Sequence, residues 1–341
     1  MNDLYEVAND SEYLQKLKGK SILITGATGL ICSAIVDLLI ICNEQMNYNM
    51  HLYVAGRDGN RANNRFYPYS GKSYFEYVKY DATRKNYFEF KVDYIIHGAS
   101  NAFPALIQSK PIDTMLDNFV GIYNLLEYAT KCSVENVLYI SSSEVYGKKE
   151  NNNPFKEDEY GYVDLLKERS SYPVSKRAAE TLCACFSAEN GLKTTIVRPG
   201  HIYGPTASRS DNRISSTMAY DAVDGKDIVL KSNGSQIRSY MYMLDCASAI
   251  LCVLVNGENS TAYNIANSNS ICSIKELAEK FSVCGNVDLV YDLPDEAEKK
   301  AFNPMNNSSL NSDKLELLGW KGKYDIDKGV RHTIDILKES L

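Results

Sequence analysis

Tyr172 and Lys176 stand four residues apart in Ser-Tyr-Pro-Val-Ser-Lys (171–176). On a helix that spacing puts both side chains on one face, one turn apart. An ammonium beside a phenol favours the phenolate and lowers the tyrosine pKa. A tyrosine so lowered acts as a general base near neutral pH. Upstream, Ser-Ser-Ser-Glu-Val-Tyr-Gly (141–147) closes an apolar strand running from Val134 to Ser143. The Ser142 hydroxyl at that strand's end is placed to hold the same substrate oxygen. Together the three groups suit removal of a proton from an alcohol while hydride leaves its carbon. Such a pair alone also occurs on solvated helix faces, so the surrounding elements decide.

A hydride needs an acceptor, and the N-terminal part offers a place for one. Ser21 to Ile24 is a short apolar strand; Thr25-Gly26-Ala27-Thr28-Gly29-Leu30-Ile31-Cys32 follows, then an apolar-periodic helix from Ala34 to Ile41. Strand, glycine turn and helix in that order are the context of a dinucleotide fingerprint. Gly26 and Gly29 let the backbone turn tightly and approach a pyrophosphate, with Thr28, Leu30 and Ile31 at the helix N-terminus. Cys32 takes the place of the usual third small residue.

A second strand, His51 to Ala55, ends in Gly56-Arg57-Asp58. An acidic residue closing it would bind the ribose of NAD, whereas Arg57 there suits a 2′-phosphate; NAD is expected, with NADP open because of Arg57. Asp58 can still reach the ribose. A third strand, Phe75 to Val78, leads to Asp81 and Ala82, with Asp81 placed at the adenine edge. A fourth, Val92 to Ser100, ends in His97-Gly98-Ala99-Ser100, where Ala99 and Ser100 leave room for a cofactor. The helix Pro111 to Cys132 carries Asn118. After the catalytic segment, a helix from Tyr172 to Glu189 precedes a sixth strand, Lys193 to Val197, which runs into Arg198-Pro199-Gly200 and sets Pro199 beside the cofactor. Strands alternating with helices at this rhythm predict an α/β fold, a doubly wound parallel Rossmann sheet. The long charged stretch from Lys148 to Ser171 reads equally as a lid or a solvated loop.

Beyond Pro199 the pattern changes. A helix opens at Asn212-Arg213 and runs to Val223, a strand spans Gly225 to Lys231, and Ser273 with Glu276 has capping-box spacing for a helix to Phe281. Leu310 to Trp320 and Asp325 to Leu337 read as helical, as does Glu12 to Lys18, capped by Asp10-Ser11. Arg213 and Arg238 are candidate phosphate clamps in an acidic chain. The expected division is a dinucleotide-binding domain of residues 1–200 and about 237–256, and a smaller substrate lobe of about 201–236 and 257–341.

The net charge of −6 over 341 residues argues against nucleic acid or an anionic membrane as partner. Of nine cysteines, the only close pair, Cys183 and Cys185, lacks zinc-site spacing and neighbouring histidines, so no metal is expected. A reduced, cytoplasmic protein is expected. Residues 1–20 lack the apolar core of a signal peptide, and the run Ile31 to Cys42 contains Asp37 and is too short to span a bilayer.

Taken together the motifs resemble the extended short-chain dehydrogenase/reductases that modify nucleotide sugars, over roughly residues 20 to 340. The resemblance rests on Thr25-Gly26-x-x-Gly29, Asp81, His97 to Ser100, Asn118, Ser142 with Tyr172 and Lys176, Arg198-Pro199, Arg238 and Leu318-Gly319-Trp320. Within that group the chain is similar to the UDP-glucuronate decarboxylases, in Ser142 to Gly147, in Ala99-Ser100 with Pro104, in Glu180-Thr181 with Cys183, and in Gln236, Arg238 and Tyr240. The resemblance implies that Ser142 holds the C4 oxygen, Tyr172 is the base, and Lys176 tunes it and grips the nicotinamide ribose. It also implies that Glu144 and Arg238 act near C5 and C6 or the phosphates, with Ser143 at the substrate. A homodimer is the expected assembly. Once C4 is a ketone, a C6 carboxylate is lost as carbon dioxide, a C6 hydroxyl is eliminated, or the ketone turns over and is reduced to the 4-epimer. Glu144 fits the first two, and Ser143 stands where many dehydratases carry an aspartate. Decarboxylation leads, with 4,6-dehydration and 4-epimerisation as alternatives. A non-catalytic NAD(P)-binding regulator and a plain carbonyl reductase are the rivals from other classes.

Overall fold

A computed structural model describes residues 2–86, 88–100, 102, 104–292 and 305–339. The strands in chain order are β1 (Ser21–Thr25), β2 (His51–Gly56), β3 (Phe75–Lys79), β4 (Tyr94–His97), β5 (Asn136–Ile140), β6 (Thr194–Pro199), β7 (His201–Tyr203), β8 (Ile228–Leu230), β9 (Ile237–Tyr242), β10 (Thr261–Ile265), β11 (Ile271–Ser273), β12 (Leu289–Tyr291) and β13 (Asn307–Ser308). The large sheet has 7 strands in the order β10-β6-β5-β4-β1-β2-β3, and every pairing in it is parallel. This is the expected doubly wound sheet. The order reverses between β1 and β4, and a ligand crevice forms outside the carboxyl ends of the strands at such a point. There Thr25 and His97 are in register, and Thr25 Oγ1 is bonded to His97 Nδ1 at 2.7 Å.

The central strands β1, β4, β5 and β6 are buried on both faces, which explains their apolar runs. Side chains alternate between the faces. Ile22, Ile24, Ile96, Leu138 and Ile140 join one core; Leu23, Ile95, Val137 and Tyr139 join the other. The first core lies under α2 (Leu30–Met46), which packs against a second long helix, Met243–Asn256. The second lies under α5 (Pro111–Cys132) and α6 (Ser171–Asn190), packed on each other. The remaining helices of the first two-thirds are α1 (Asn2–Asn9), α3 (Gly59–Phe66), α4 (Pro104–Ser109) and α7 (Ile214–Val223); the long buried helix Met243–Asn256 is α8, and α9 is Ile274–Gly285.

A smaller sheet runs β11-β9-β13, with β7 on β9. Sheet membership reassigns two expected segments: Ile237–Tyr242 (β9) lies in the smaller sheet, and Thr261–Ile265 (β10) pairs with β6 in the large one. The helix α8 that joins them escaped sequence reading. Its residues from Met243 to Leu254 are buried on every side, and a helix apolar all round carries no amphipathic signal.

Three local expectations change. Glu12–Leu17 is a 3₁₀ turn, and Ser11 makes no side-chain cap; α1, unexpected in a polar terminus, precedes it. Helix survives in only Asp313–Glu316 of the Leu310 to Trp320 stretch. Phe155 donates its amide to Ser309 O at 2.8 Å and accepts from Asn311 N at 2.9 Å, holding that backbone extended. The Ser273 and Glu276 capping box of α9 is present in full.

Candidate active site

Tyr172 and Lys176 both project from the first turns of α6, and both are buried, at 6% and 2% exposure. The Ser142 hydroxyl lies beside the Tyr172 phenol and favours its ionised form. Ser142 sits where β5 ends and a 3₁₀ turn, Ser143–Tyr146, begins; its Oγ accepts from Glu144 N at 3.2 Å. The trio expected from sequence therefore converges at the carboxyl end of β5.

Its electrostatics differ from expectation. Burial pushes the Tyr172 phenol up to about 12, with Glu144 adding to the rise; Ser142, Arg213 and Arg169 oppose it. Desolvation brings Lys176 itself down to about 7, against the pull of the Glu180 carboxylate. Its Nζ donates to Ile140 O at 2.8 Å and lies 4.7 Å from the Tyr139 ring centroid and 5.8 Å from that of Tyr172.

Glu144 is held by Arg169, whose Nη2 lies 2.9 Å from Oε1 and 2.9 Å from Oε2. Sequence reading gave Arg169 no role beyond a charge on the lid loop. Arg238, on β9, is 3% exposed. It donates to Ile237 O (2.9 Å), Met305 O (2.9 Å) and Asn306 O (3.5 Å). Burial lowers its pKa, while Tyr240 and Glu144 raise it, so its charge feels the Glu144 carboxylate. Arg213 caps the start of α7 and grips the Asp211 carboxylate, with Nε at 2.9 and 3.0 Å from the two oxygens. A phosphate reaching Arg213 has to share it with Asp211. Ser143 is buried at 5% exposure under the same turn.

His201 belongs to this constellation and was missed. It lies in register with Tyr240, on the strand face that Arg238 shares, two residues before Tyr240. Burial, then the charges of Arg238 and Arg213, push its pKa down to about 3, so the ring is neutral. Among the described residues its Nδ1 has no partner. No spacing rule links residue 201 to 238; only the strand pairing does.

The segments expected to hold the cofactor meet where β1 and β4 end. A Cβ on Gly26, at φ +69°, would meet the backbone of Gly98 and Ala99 at 2.8 Å. A Cβ on Gly98 would meet Cys32 Sγ at 2.3 Å, so Cys32 fills the contact expected of a small third residue. Gly29 caps α2, whose first amides, around Leu30 and Ile31, have no partner within the helix. Such a helix start suits a pyrophosphate. Ser100 donates to Asn118 Oδ1 at 2.8 Å, and Asn118 donates to Ser175 Oγ at 3.0 Å, tying β4, α5 and α6 together beneath the site. Ala82 packs on α5 at Gly121. Pro199 ends β6.

At the adenosine end, Arg57 is exposed at the close of β2 and acts on the charges of Asp81 and Asp117. Asp58 accepts from Arg61 N at 3.0 Å as the cap of α3, so one of its oxygens is already engaged. Arg61 Nη2 donates to Thr28 O at 3.2 Å, a link to the glycine turn that sequence alone did not suggest. Asp81 accepts from Thr83 N at 3.0 Å and Thr83 Oγ1 at 2.8 Å.

A glycine cradle, a helix start and a buried Ser-Tyr-Lys trio on one doubly wound sheet point to a single family. The model of the NAD dependent epimerase/dehydratase family matches residues 22–266. The chain belongs to that family. Within this family's range of chemistries, the chain is 27% identical over 333 residues to UDP-glucuronic acid decarboxylase 1 of Xenopus tropicalis, covering 97% of this chain and 75% of that one. Among solved structures it resembles the UDP-glucose 4-epimerase of Thermotoga maritima, with a TM-score of 0.80, 21% identity and coverage of 94% and 99%. It also resembles the dTDP-glucose 4,6-dehydratase of Bacillus anthracis, with a TM-score of 0.78, 20% identity and coverage of 93% and 96%. The two structural likenesses concern the fold. Among the described residues no group of side chains could hold a metal ion, and no helix is long and apolar enough to cross a membrane.

Proposed function

We propose that this chain oxidises C4 of a nucleotide-linked hexuronic acid and then releases C6 as carbon dioxide, with UDP-glucuronate as the leading substrate. The reading rests above all on Glu144, a carboxylate whose charge acts on both Tyr172 and Arg238. Hydride transfer alone does not need it. The similarity to the Xenopus decarboxylase supports the same reading.

NAD bound at the glycine turn, Asn118 and Lys176 would supply hydride acceptance from C4 and hydride return to it. Tyr172 takes the C4 hydroxyl proton, and Ser142 orients that oxygen. In the resulting β-keto acid the C5–C6 bond breaks, its electron pair passes to C5 and the C4 oxygen, and carbon dioxide leaves. Glu144 and Arg238 stand where that charge develops and where C5 regains a proton. Arg213, Arg238 and His201 face the remainder of the substrate, with the diphosphate as the natural anion for the two arginines. Arg57 and Arg61, beside a β2 that ends in Gly56, favour acceptance of a 2′-phosphate, so NADP is proposed as a usable cofactor beside NAD.

We also propose a homodimer. Ile112, Met115, Leu116, Phe119 and Tyr123 are exposed at 72%, 42%, 51%, 41% and 42%, one continuous stripe of α5 at helical spacing. Lys110 and Asp113 flank one end and Glu127 and Lys131 the other, so a two-fold copy meets opposite charges. Free cysteines throughout the described chain fit a reducing compartment such as the cytoplasm.

The test is incubation with UDP-glucuronate, UDP-glucose, GDP-mannose and dTDP-glucose, each with NAD and with NADP, read by mass spectrometry. Loss of carbon dioxide from UDP-glucuronate is the expected result. Loss of water marks a dehydratase, an unchanged mass with an altered sugar marks an epimerase, and no NADP binding removes the Arg57 reading.

A further inference from the structure

Glu144 and Arg169 come from two separate turns of the chain. Glu144 lies on the 3₁₀ turn after β5, whose backbone is braced by Arg177 Nε donating to Val145 O at 2.6 Å. Arg169 lies in the 3₁₀ turn Glu168–Ser170, which runs directly into α6. That turn is braced too: Ser170 Oγ donates to Asp164 O at 2.5 Å, and Ser170 N to Lys167 O at 3.0 Å. The ion pair between them touches both carboxylate oxygens, with side chains 35% and 29% exposed. Two rigid turns therefore meet through one guanidinium, three residues before the catalytic tyrosine.

The charges around Tyr172 make that contact consequential. Glu144 on its 3₁₀ turn opposes loss of the phenol proton, whereas Ser142 on the same turn, Arg213 at the start of α7 and Arg169 favour it. Lys176 on α6 and Tyr139 on β5 complete the surroundings. Arg213 is already committed to Asp211, whose side chain is 2% exposed. Arg238 acts on Glu144 through its charge, and Arg169 is the residue whose ion pair with the Glu144 carboxylate is direct, at 2.9 Å.

We propose that Arg169 is a positioning residue: it fixes Glu144 relative to Tyr172 and cancels the carboxylate's charge, so that the base can give up its proton while Glu144 stays aimed at the second step. The proposal rests on Tyr172 as the base, which decarboxylation, dehydration and epimerisation share, and so survives a change among the three.

The test compares Arg169→Gln, Arg169→Lys and the double variant Glu144→Gln/Arg169→Gln. The pH dependence of cofactor reduction is followed in single turnover with NAD and UDP-glucuronate, and with UDP-glucose in parallel. Removing a cation from a nearby carboxylate shifts the midpoint upward by on the order of one pH unit. Arg169→Gln should show that rise, Arg169→Lys should keep the parental midpoint, and the double variant should return toward it. A merely structural arginine would lower stability and leave the midpoint in place, which overturns the proposal, as does a rise that persists in the double variant. If neither sugar reduces the cofactor, the functional reading fails separately. The midpoint is then read from tyrosinate absorbance, as the difference between each variant and its Tyr172→Phe counterpart, with the same outcomes deciding.

Discussion

Lys176 carries a heavy electrostatic load. Its pKa falls from 10.5 to about 7, chiefly through burial. Between those values the unfolded chain binds more protons than the folded one, so this residue's contribution to stability rises with pH. At pH 7 and below the folded protein bears the cost of a buried charge; near 10.5 that cost is gone. Lys176→Met should therefore compare best with the parent near pH 7 and lose ground toward about pH 10. Urea unfolding of both proteins at the two pH values measures this, and a gap independent of pH contradicts the buried-ammonium account. The residue scale is also where local placement was most legible in the sequence. Ser142, Tyr172 and Lys176 were recognisable because strand end and helix turn are local, and so was the need for Gly26. Arg169 and His201 were invisible because their partners are brought to them by a loop closure and a strand pairing. The rise of the Tyr172 phenol has the same origin: its adjacency to Lys176 was legible in the spacing, but the depth of its burial was not.

Helix α5 shows how an element carries two kinds of information. One face, with Ile122, Leu125, Leu126 and Ala129, packs into the core. The face from Ile112 to Tyr123 remains exposed. A helix apolar on both faces needs a second surface to cover it. Leu116→Glu/Phe119→Glu should leave the fold intact and convert a dimer to a monomer by sedimentation. A parent that is already monomeric at micromolar concentration contradicts this reading of α5. The strands β1, β2 and β6 were read within two residues of their ends, because parallel strands are apolar without interruption. By contrast α8 gave no periodic signal, and the residues around Leu310 were diverted from helix by their bonds to Phe155. Another contact beyond sequence reach fixes α6: the Arg198 guanidinium, 2% exposed, grips Glu180 at 2.6 Å through Nη2, one turn below Lys176. It also binds Tyr146 Oη at 3.0 Å, joining the catalytic helix to the turn that carries Ser142 and Glu144.

At the scale of the whole molecule, the large sheet and its helices carry the glycine turn and Tyr172, and the smaller sheet carries Arg238 and His201. In the function proposed above, oxidation at C4 falls to Ser142, Tyr172 and Lys176, and Glu144 and Arg238 act in the loss of carbon dioxide from the ketone. That division is the central claim, and Glu144→Gln tests it because the amide keeps shape and hydrogen bonding while removing the charge. Single-turnover mixing of this variant with NAD and UDP-glucuronate, following reduced-cofactor absorbance and sugar product together, separates the two steps. Reduced cofactor should accumulate with little pentose product, since a group that acts only after oxidation is missing. Product formed at the parental rate would contradict the account and leave epimerisation as the better reading.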